Sequence, residues 1–145
     1  MPVCLMFVRR ACLSDASEIS RLMGQLGYTA SPDLVARKIG LFDGSKDDAV
    51  FVAELGGALV GCLGAHAFEL FHAEGRFGRI TAVVVDENVR GAGVGRTLVE
   101  SAVAFFREAG CIRAEVTSGD HRAGAHAFYK SVGFREDNRR FIQIL

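Results

Sequence analysis

Hydrophobic residues recur along this chain with two different spacings, which alternate from one segment to the next. Period-two alternation predicts a first strand over residues 3–10. Two apolar runs, over 49–55 and 58–68, are joined by a pair of glycines, which is typical of a β-hairpin. The β-branched run 80–85 carries no charge up to its end and predicts a buried central strand, and 112–117 predicts another.

Capping residues and a helical spacing of apolar residues predict four helices. The first follows Asp15, with Glu18 at the spacing of a capping box, and the second opens with proline directly after a serine. The third and fourth are each followed by glycine, which commonly ends a helix. The predicted helices cover residues 15–26, 32–42, 94–109 and 123–132.

The order of these elements predicts the fold class. A charged loop is expected over 69–78, and residues 134–144 are expected to supply a last strand or hairpin. The resulting order, β-α-α-β-β-β-α-β-α-β, is typical of an α/β sandwich with a mixed sheet. The length of 145 residues, without repeats or a long linker, indicates that residues 1–145 form a single domain.

The charge balance argues against two classes of partner. Seventeen Lys and Arg residues match seventeen Asp and Glu residues, so the formal net charge is zero. A protein that binds nucleic acid generally shows a basic excess, and a polybasic membrane anchor would show one too. We therefore expect neither nucleic acid nor a membrane among the partners.

The cysteines and the apolar segments predict a cytoplasmic location. None of the four cysteines has CxxC spacing, so they are interpreted as free thiols in a reducing compartment. The first ten residues place their charge after the apolar stretch, which is the wrong order for a signal peptide. The longest apolar run is too short to span a bilayer.

Three glycines lie where the buried strand gives way to the third predicted helix. Gly91, Gly93 and Gly95 allow a tight turn and let the backbone approach a ligand, because they have no Cβ. The first N–H groups of a helix lack partners within it, and with the helix dipole they favour a phosphate group. The segment does not fit a P-loop, because Arg96 follows the last glycine where that motif needs lysine. It does not fit the GxGxxG fingerprint either, because Arg96 stands where the third glycine of that motif is needed.

The spacing that does fit is R-x-x-G-x-G, from Arg90 through Gly93 to Gly95, and here the chain resembles the GCN5-related N-acetyltransferase (GNAT) superfamily. Residues 125–134, AHAFYKSVGF, are similar to the A-x-x-[FL]-Y-x-x-x-G-F block of that superfamily. Both motifs occur in the expected order. The resemblance implies a GNAT-type three-layer α/β sandwich with a mixed, mostly antiparallel central sheet flanked by about four helices.

The resemblance also implies the reaction, which is transfer of an acetyl group from acetyl-CoA to a primary amine of a small molecule. The amine would attack the thioester directly, and Tyr129 would act as the general acid that protonates the departing thiolate. Backbone groups of Val83 and Val85 would hydrogen-bond the pantetheine amides. An N–H group of Val84 or Val85 would polarise the thioester carbonyl.

The same resemblance places the pyrophosphate on the glycine-rich turn. Arg90 and Arg96 would add charge-assisted contacts. Arg122 stands where the superfamily often has Asn; it would reach a CoA phosphate or a substrate anion, and Ser118 would face the acceptor or the pantetheine. The backbone amides expected to hold the pyrophosphate are those of Gly91, Ala92, Gly93, Val94, Gly95 and Arg96.

The motifs do not supply a general base. An amine acceptor is protonated at neutral pH, so a group must remove a proton from it. Many members of the superfamily use Glu on the central strand, but residues 79–83 contain no carboxylate. His66, Glu69 and His72 have a superficially metal-like spacing, which is interpreted as a solvated strand end without a metal. The candidate bases are His66, Glu69, His72, Asp120, His121 and a relayed water.

Several alternatives stay open at this point. The missing carboxylate is compatible with a catalytically silent acyl-CoA-binding or regulatory module. A looser resemblance to aminoalkylphosphonate N-acetyltransferases rests on the initial Met-Pro, the stretch 66–72 and the AHAFY block. Aminoglycosides, polyamines, amino acids and protein amines are other acceptors to consider. A homodimer paired through terminal strands is also expected, because residues 141–145 form an apolar edge.

Overall fold

Five strands and four α-helices make up the described part of the fold. The computed structural model describes residues 5–89, 91–117, 123–137 and 140–145. Within these residues the α/β class expected from the sequence is confirmed. The elements are β1 (Met6–Arg10), α1 (Ala16–Gln25), α2 (Pro32–Phe42), β2 (Asp48–Leu55), β3 (Ala58–Glu69), β4 (Arg76–Val85), α3 (Val94–Glu108), β5 (Cys111–Val116) and α4 (Ala123–Ser131).

The sheet is mixed and mostly antiparallel. Its strand order is β1-β2-β3-β4-β5, with antiparallel pairing between the first four strands and parallel pairing between β4 and β5. Parallel neighbours need a crossover connection, which α3 provides. Because β4 continues past the end of its pairing with β5, its second half is paired with β3 alone among the described strands.

Alternating side chains of the strands bury two separate cores. On one face Val52 of β2 and Cys62 of β3 pack with the apolar sides of α1 and α2. On the other face Leu63 and Ile80 pack with α3, and α4 adds half-buried side chains to that cluster. Helices therefore cover both faces of the sheet, which confirms the three-layer sandwich.

Two expectations about the strands are wrong. The loop after β3 covers only residues 70–75, and β4 begins at Arg76 rather than near residue 80. The charged residues were interpreted as loop, but Arg76 and Arg79 lie within a strand that is paired with β3. The described residues of 134–144 form no strand.

The first helix is anchored by a carboxylate that caps the turn before it. Asp15 accepts a hydrogen bond from the N–H of Cys12 at 2.8 Å, whereas Glu18 pairs with Arg21 instead of completing the expected capping box. Arg9 donates two hydrogen bonds to Asp15, at 2.8 and 2.9 Å. The Arg9 guanidinium lowers the pKa of Asp15 from 3.8 to about 2.

Asp15→Asn is expected to lower the free energy of unfolding by about 2 kcal/mol at pH 7. The Asp15 side chain is only 9% exposed, so its ion pair with Arg9 is weakly screened. Because the folded-state pKa is depressed, the stabilisation is present above pH 4 and is lost as the pH falls toward 2. Urea unfolding should show the gap between wild type and variant shrinking to about half by pH 3. A gap independent of pH would contradict this account.

Candidate functional site

Strand β4 separates from β5 halfway along its length. The parallel pairing runs from Arg76 with Cys111 to Ile80 with Val116 and stops there, while β4 continues to Val85 beside β3. Thr81 is an extra residue in β4, since Ala65 and Gly64 pair with Ile80 and Ala82 on either side of it. Such a bulge bends a strand and increases its twist. The far half of β4 therefore has an edge to which no other described strand is paired.

The open edge of β4 carries the three valines whose backbone is predicted to contact the pantetheine or the thioester of acetyl-CoA. Val84 is buried toward α1 and α2, whereas the half-buried Val83 and Val85 pack against the core beneath α3. Their backbone groups alternate in direction along the strand, so part of them face the gap left by β5. From Thr81 to Val85 this edge spans about 13 Å.

The glycine-rich turn follows at the wide end of the gap. Gly91 and Gly93 have φ values of +89° and +80°, in the left-handed region that favours glycine, and Gly93 is the N-cap of α3. Ala92 is exposed between them. The N–H of Thr97 donates to the carbonyl of Gly93 at 3.1 Å. The preceding N–H groups of α3 lie at its positive end, where an anion is stabilised.

Two residues of this turn have packing roles besides the predicted contact with pyrophosphate. Val94 is buried against β3 beside Gly61. A Cβ at Gly95 would lie 3.0 Å from Cζ of Phe128 and 3.5 Å from Cγ2 of Val85. Gly95 thus lets α4 approach both the start of α3 and the end of β4. Arg96, expected to contact phosphate, donates to the carbonyl of Ser131 at the end of α4, at 3.2 Å.

A buried carboxylate fixes the loop between β4 and the turn, and sequence reasoning missed it. Asp86 accepts hydrogen bonds from the N–H of Asn88 at 3.1 Å and from Arg21 of α1 at 3.0 Å. Gln25 adds a third contact at 3.4 Å and also accepts from the N–H of Glu87. These partners, the Asn88 N–H first, hold the pKa of Asp86 below its ordinary value. An aspartate directly after a buried strand was the available sequence signal.

Helix α4 brings Tyr129 to the same side of the sheet as the turn. Its half-buried ring lies 5.4 Å from the ring of Phe128 and 6.0 Å from that of Phe134, measured between centroids. Since Phe128 packs on Gly95, Tyr129 belongs to the helix that contacts the start of α3. Five predicted residues lie outside the described part of the chain: Arg90, Ser118, Asp120, His121 and Arg122.

The structure separates the three histidine and glutamate candidates for the base. His66 faces Asp48 and Thr81 at the bulge, at 2.8 and 3.1 Å. Glu69 is 78% exposed and lies 3.5 Å from Arg76, and His72 is exposed in the loop after β3. Within the described ranges no three His, Cys, Asp or Glu side chains are arranged to hold a metal ion.

A cleft of about 230 Å³ opens beside His66, between the sheet and the helices α1 and α2. Its walls are mainly apolar, with Lys38 as the charged residue contributed by α2. Cys62 also lines it, but burial raises the pKa of this thiol to about 12, so it is not an activated nucleophile. The side chains contributed by α1, α2 and the loop between them are Ile19, Met23, Ala30, Leu34, Val35, Lys38, Ile39 and Phe42.

Comparison with known proteins agrees with this architecture. The sequence matches the family described as "Acetyltransferase (GNAT) family" over residues 17–134. An uncharacterised N-acetyltransferase of Chlorobaculum tepidum is 30% identical over 143 residues, covering 98% of this chain and 83% of that protein. The aminoalkylphosphonate N-acetyltransferase of Salmonella typhimurium is 30% identical over 148 residues, covering 100% of this chain and 94% of that protein.

Solved structures show the same fold. An aminoglycoside N-acetyltransferase in complex with CoA superimposes with a TM-score of 0.86, covering 99% of this chain and 97% of that one, at 16% identity. The chain therefore belongs to the GNAT family and is an acetyltransferase, and acetyl-CoA is the acetyl donor of this family. None of the described helices is long and apolar enough to cross a membrane.

Proposed function

We propose that this protein transfers the acetyl group of acetyl-CoA directly to the primary amine of a small molecule. The observation that carries the proposal is the separation of β4 from β5 at Thr81, with the N-terminus of α3 at the wide end of the gap. A linear pantetheine arm placed along this edge would hydrogen-bond the backbone of Val83 and Val85. Its pyrophosphate would meet the N–H groups of residues 91–96.

Direct transfer is supported by the state of two of the four thiols, those of Cys62 and Cys111. A route through an acetyl-cysteine needs a thiolate near the thioester, and thiolates form where the pKa is lowered. Burial instead raises the pKa of Cys62 in the cleft, and that of Cys111 in β5. The acceptor nitrogen itself is therefore the nucleophile in the proposed reaction.

The cleft beside His66 is the proposed acceptor site. Its apolar walls favour a small amine with a hydrocarbon skeleton over a large polar sugar. Lys38 adds one positive charge, which suits an acceptor that also carries an anion. Aminoalkylphosphonates belong in any acceptor panel because a relative 30% identical over the whole chain carries that name.

The proposal is tested by CoA binding and by an acceptor screen with thiol detection. Saturating CoA should stabilise the protein by about 2.7 kcal/mol at a hundred times its Kd. The screen should find an amine that releases free thiol in step with acetylated product. Absence of saturable stabilisation at millimolar CoA would contradict the proposed cofactor site, and CoA binding without any acetylation would favour a silent binding module.

Tyr129→Phe is expected to lower kcat by about 10- to 100-fold, because the departing thiolate loses its proton donor. The Kd of CoA should stay within about twofold, since the ring and its contacts with Phe128 and Phe134 remain. Steady-state kinetics and calorimetry measure the two quantities. The matched control is Tyr28→Phe, which removes the chain's other phenol at a position 55% exposed. An unchanged kcat in Tyr129→Phe would exclude this residue as the acid.

A further inference from the structure

Three polar side chains form a continuous hydrogen-bonded line across β2, β3 and β4. Nδ1 of His66 lies 2.8 Å from Oδ1 of Asp48, and Nε2 lies 3.1 Å from the hydroxyl of Thr81. Asp48 and His66 are directly paired in the sheet, so both point to the face covered by α1 and α2. Neither sequence motif includes any of these three residues.

Asp48 fixes the direction of the hydrogen bonds along these three side chains. The second carboxylate oxygen of Asp48 accepts a hydrogen bond from Ser45 at 3.2 Å, which fixes the carboxylate plane. A carboxylate accepts only, so Nδ1 of His66 donates to it. In the neutral imidazole Nε2 then carries no proton and accepts from the Thr81 hydroxyl. The ring of Phe42 packs edge-on at 5.4 Å and holds the imidazole plane.

The position of Thr81 brings these hydrogen-bonded side chains to the proposed acceptor site. Thr81 is the bulged residue at the point where β4 leaves β5, and its side chain is exposed in the proposed acceptor cleft. A pantetheine arm that enters at the glycine-rich turn and follows the edge of β4 ends near this point. The Thr81 hydroxyl thus lines the cleft and is hydrogen-bonded to Nε2 of His66.

We propose that Asp48, His66 and Thr81 form the proton relay that deprotonates the acceptor amine. The inference rests on the proposed function. The substrate ammonium gives one proton to Oγ1 of Thr81 as the Thr81 hydroxyl proton moves to Nε2 of His66, and Asp48 stabilises the imidazolium. The nitrogen lone pair then forms the C–N bond, and the C–S bond breaks. The CoA thiolate takes a proton from Tyr129, and the second surplus nitrogen proton leaves to solvent. Tyr129 is then reprotonated from solvent, and the His66 imidazolium releases its proton to solvent, which restores the relay for the next turnover.

Other charged groups on this face set the surroundings of the relay. Arg79 of β4 is paired with His66 in the sheet, and its guanidinium is bound to Glu115 of β5 at 2.8 Å. Lys38 of α2 lines the same cleft, while α1 contributes apolar side chains. Asp48 is the anion in direct contact with the imidazole.

The decisive experiment compares acceptors of different basicity. With benzylamine, which is protonated at pH 7, His66→Gln and Thr81→Val are each expected to lower kcat/KM about 100-fold. With aniline, which is unprotonated at that pH, the loss should be under about threefold, because no proton must leave before attack. The acetyl-CoA KM should be unchanged. Thr29→Val removes an exposed hydroxyl from the loop between α1 and α2 and is the matched control for Thr81→Val.

The pH profile supplies a second readout that a structural role would not change. In His66→Gln, kcat/KM for benzylamine should rise about tenfold per pH unit toward the pKa of the amine and approach the wild-type value. Asp48→Asn should show the same rescue in weaker form. Equal losses on both amines without rescue by pH would overturn the relay and leave a structural role.

Histidine NMR tests the geometry without turnover. At pH 8 the ¹⁵N spectrum should show His66 protonated at Nδ1 and unprotonated at Nε2. A spectrum of the opposite tautomer would overturn the relay. An active wild type with an equally active His66→Gln would overturn the relay alone. A wild type that binds CoA but acetylates no amine of the panel would overturn the proposed function and the relay with it.

Discussion

Ala92→Asp is expected to weaken CoA binding by about 10- to 100-fold, or about 1.4 to 2.8 kcal/mol. The side chain at residue 92 is exposed between the two left-handed glycines, directly before α3. A carboxylate there competes with the pyrophosphate for the N–H groups and repels it. The same carboxylate is favourable at the positive end of the helix, so the free energy of unfolding should stay equal or rise by about 0.5 kcal/mol. Calorimetry with CoA and urea unfolding measure the two opposite effects.

Ala92→Asn is the matched control, because it has the same shape without the charge. It should retain CoA affinity within about threefold, and the gap between Asn and Asp should narrow at high salt, where charges are screened. Equal losses in both variants would assign the effect to size rather than charge. An unchanged CoA affinity in Ala92→Asp would show that the pyrophosphate does not bind at the N-terminus of α3.

The four helices could be predicted because their signals are local. The second helix was predicted over 32–42 and is found at Pro32–Phe42, where the Ser31 hydroxyl accepts from the N–H of Leu34 at 3.1 Å. The third was predicted over 94–109 and is found at Val94–Glu108. Caps, proline and glycine act within one turn of the chain, so a single sequence contains what decides these ends.

Of the candidate site, only the glycine-rich turn could be predicted from the sequence. The left-handed conformations of Gly91 and Gly93 follow from residue type, whereas the contact between Gly95 and Phe128 depends on how α4 packs. The sequence left the general base open among five residues and water. What sets His66 apart is the register of three strands, which brings together side chains 15 and 18 residues away from it. No local spacing encodes that register.

The start of β4 was missed for a related reason. Gly78 and its charged neighbours are typical of a loop, but the glycine is required by contact with a distant helix. A Cβ at Gly78 would overlap ring atoms of Phe106, which is 2% exposed in the core beneath α3. The glycine therefore marks a close approach between α3 and the sheet rather than the end of a strand.

Gly78→Ala is accordingly expected to lower the free energy of unfolding by about 3 kcal/mol. The added methyl group forces either the Phe106 ring or the whole of α3 away from β4, and the ring has no open space because the surrounding core is closely packed. Since α3 carries the N–H groups of the glycine-rich turn, CoA affinity should fall as well. Urea unfolding and calorimetry with CoA provide both measurements.

Two further variants separate the clash from any general cost of replacing glycine. Gly24→Ala introduces the same methyl group in α1, where nothing lies within 4 Å of it, and should stabilise the protein by up to about 1 kcal/mol. Adding Phe106→Leu to Gly78→Ala should recover part of the loss, with a coupling energy of about 1 to 2 kcal/mol, because the smaller side chain leaves room for the methyl group. Strictly additive effects of the two substitutions on the free energy of unfolding would show that the approach of α3 to β4 does not depend on Gly78. The expected effect of Gly78→Ala on CoA affinity would then have no structural basis.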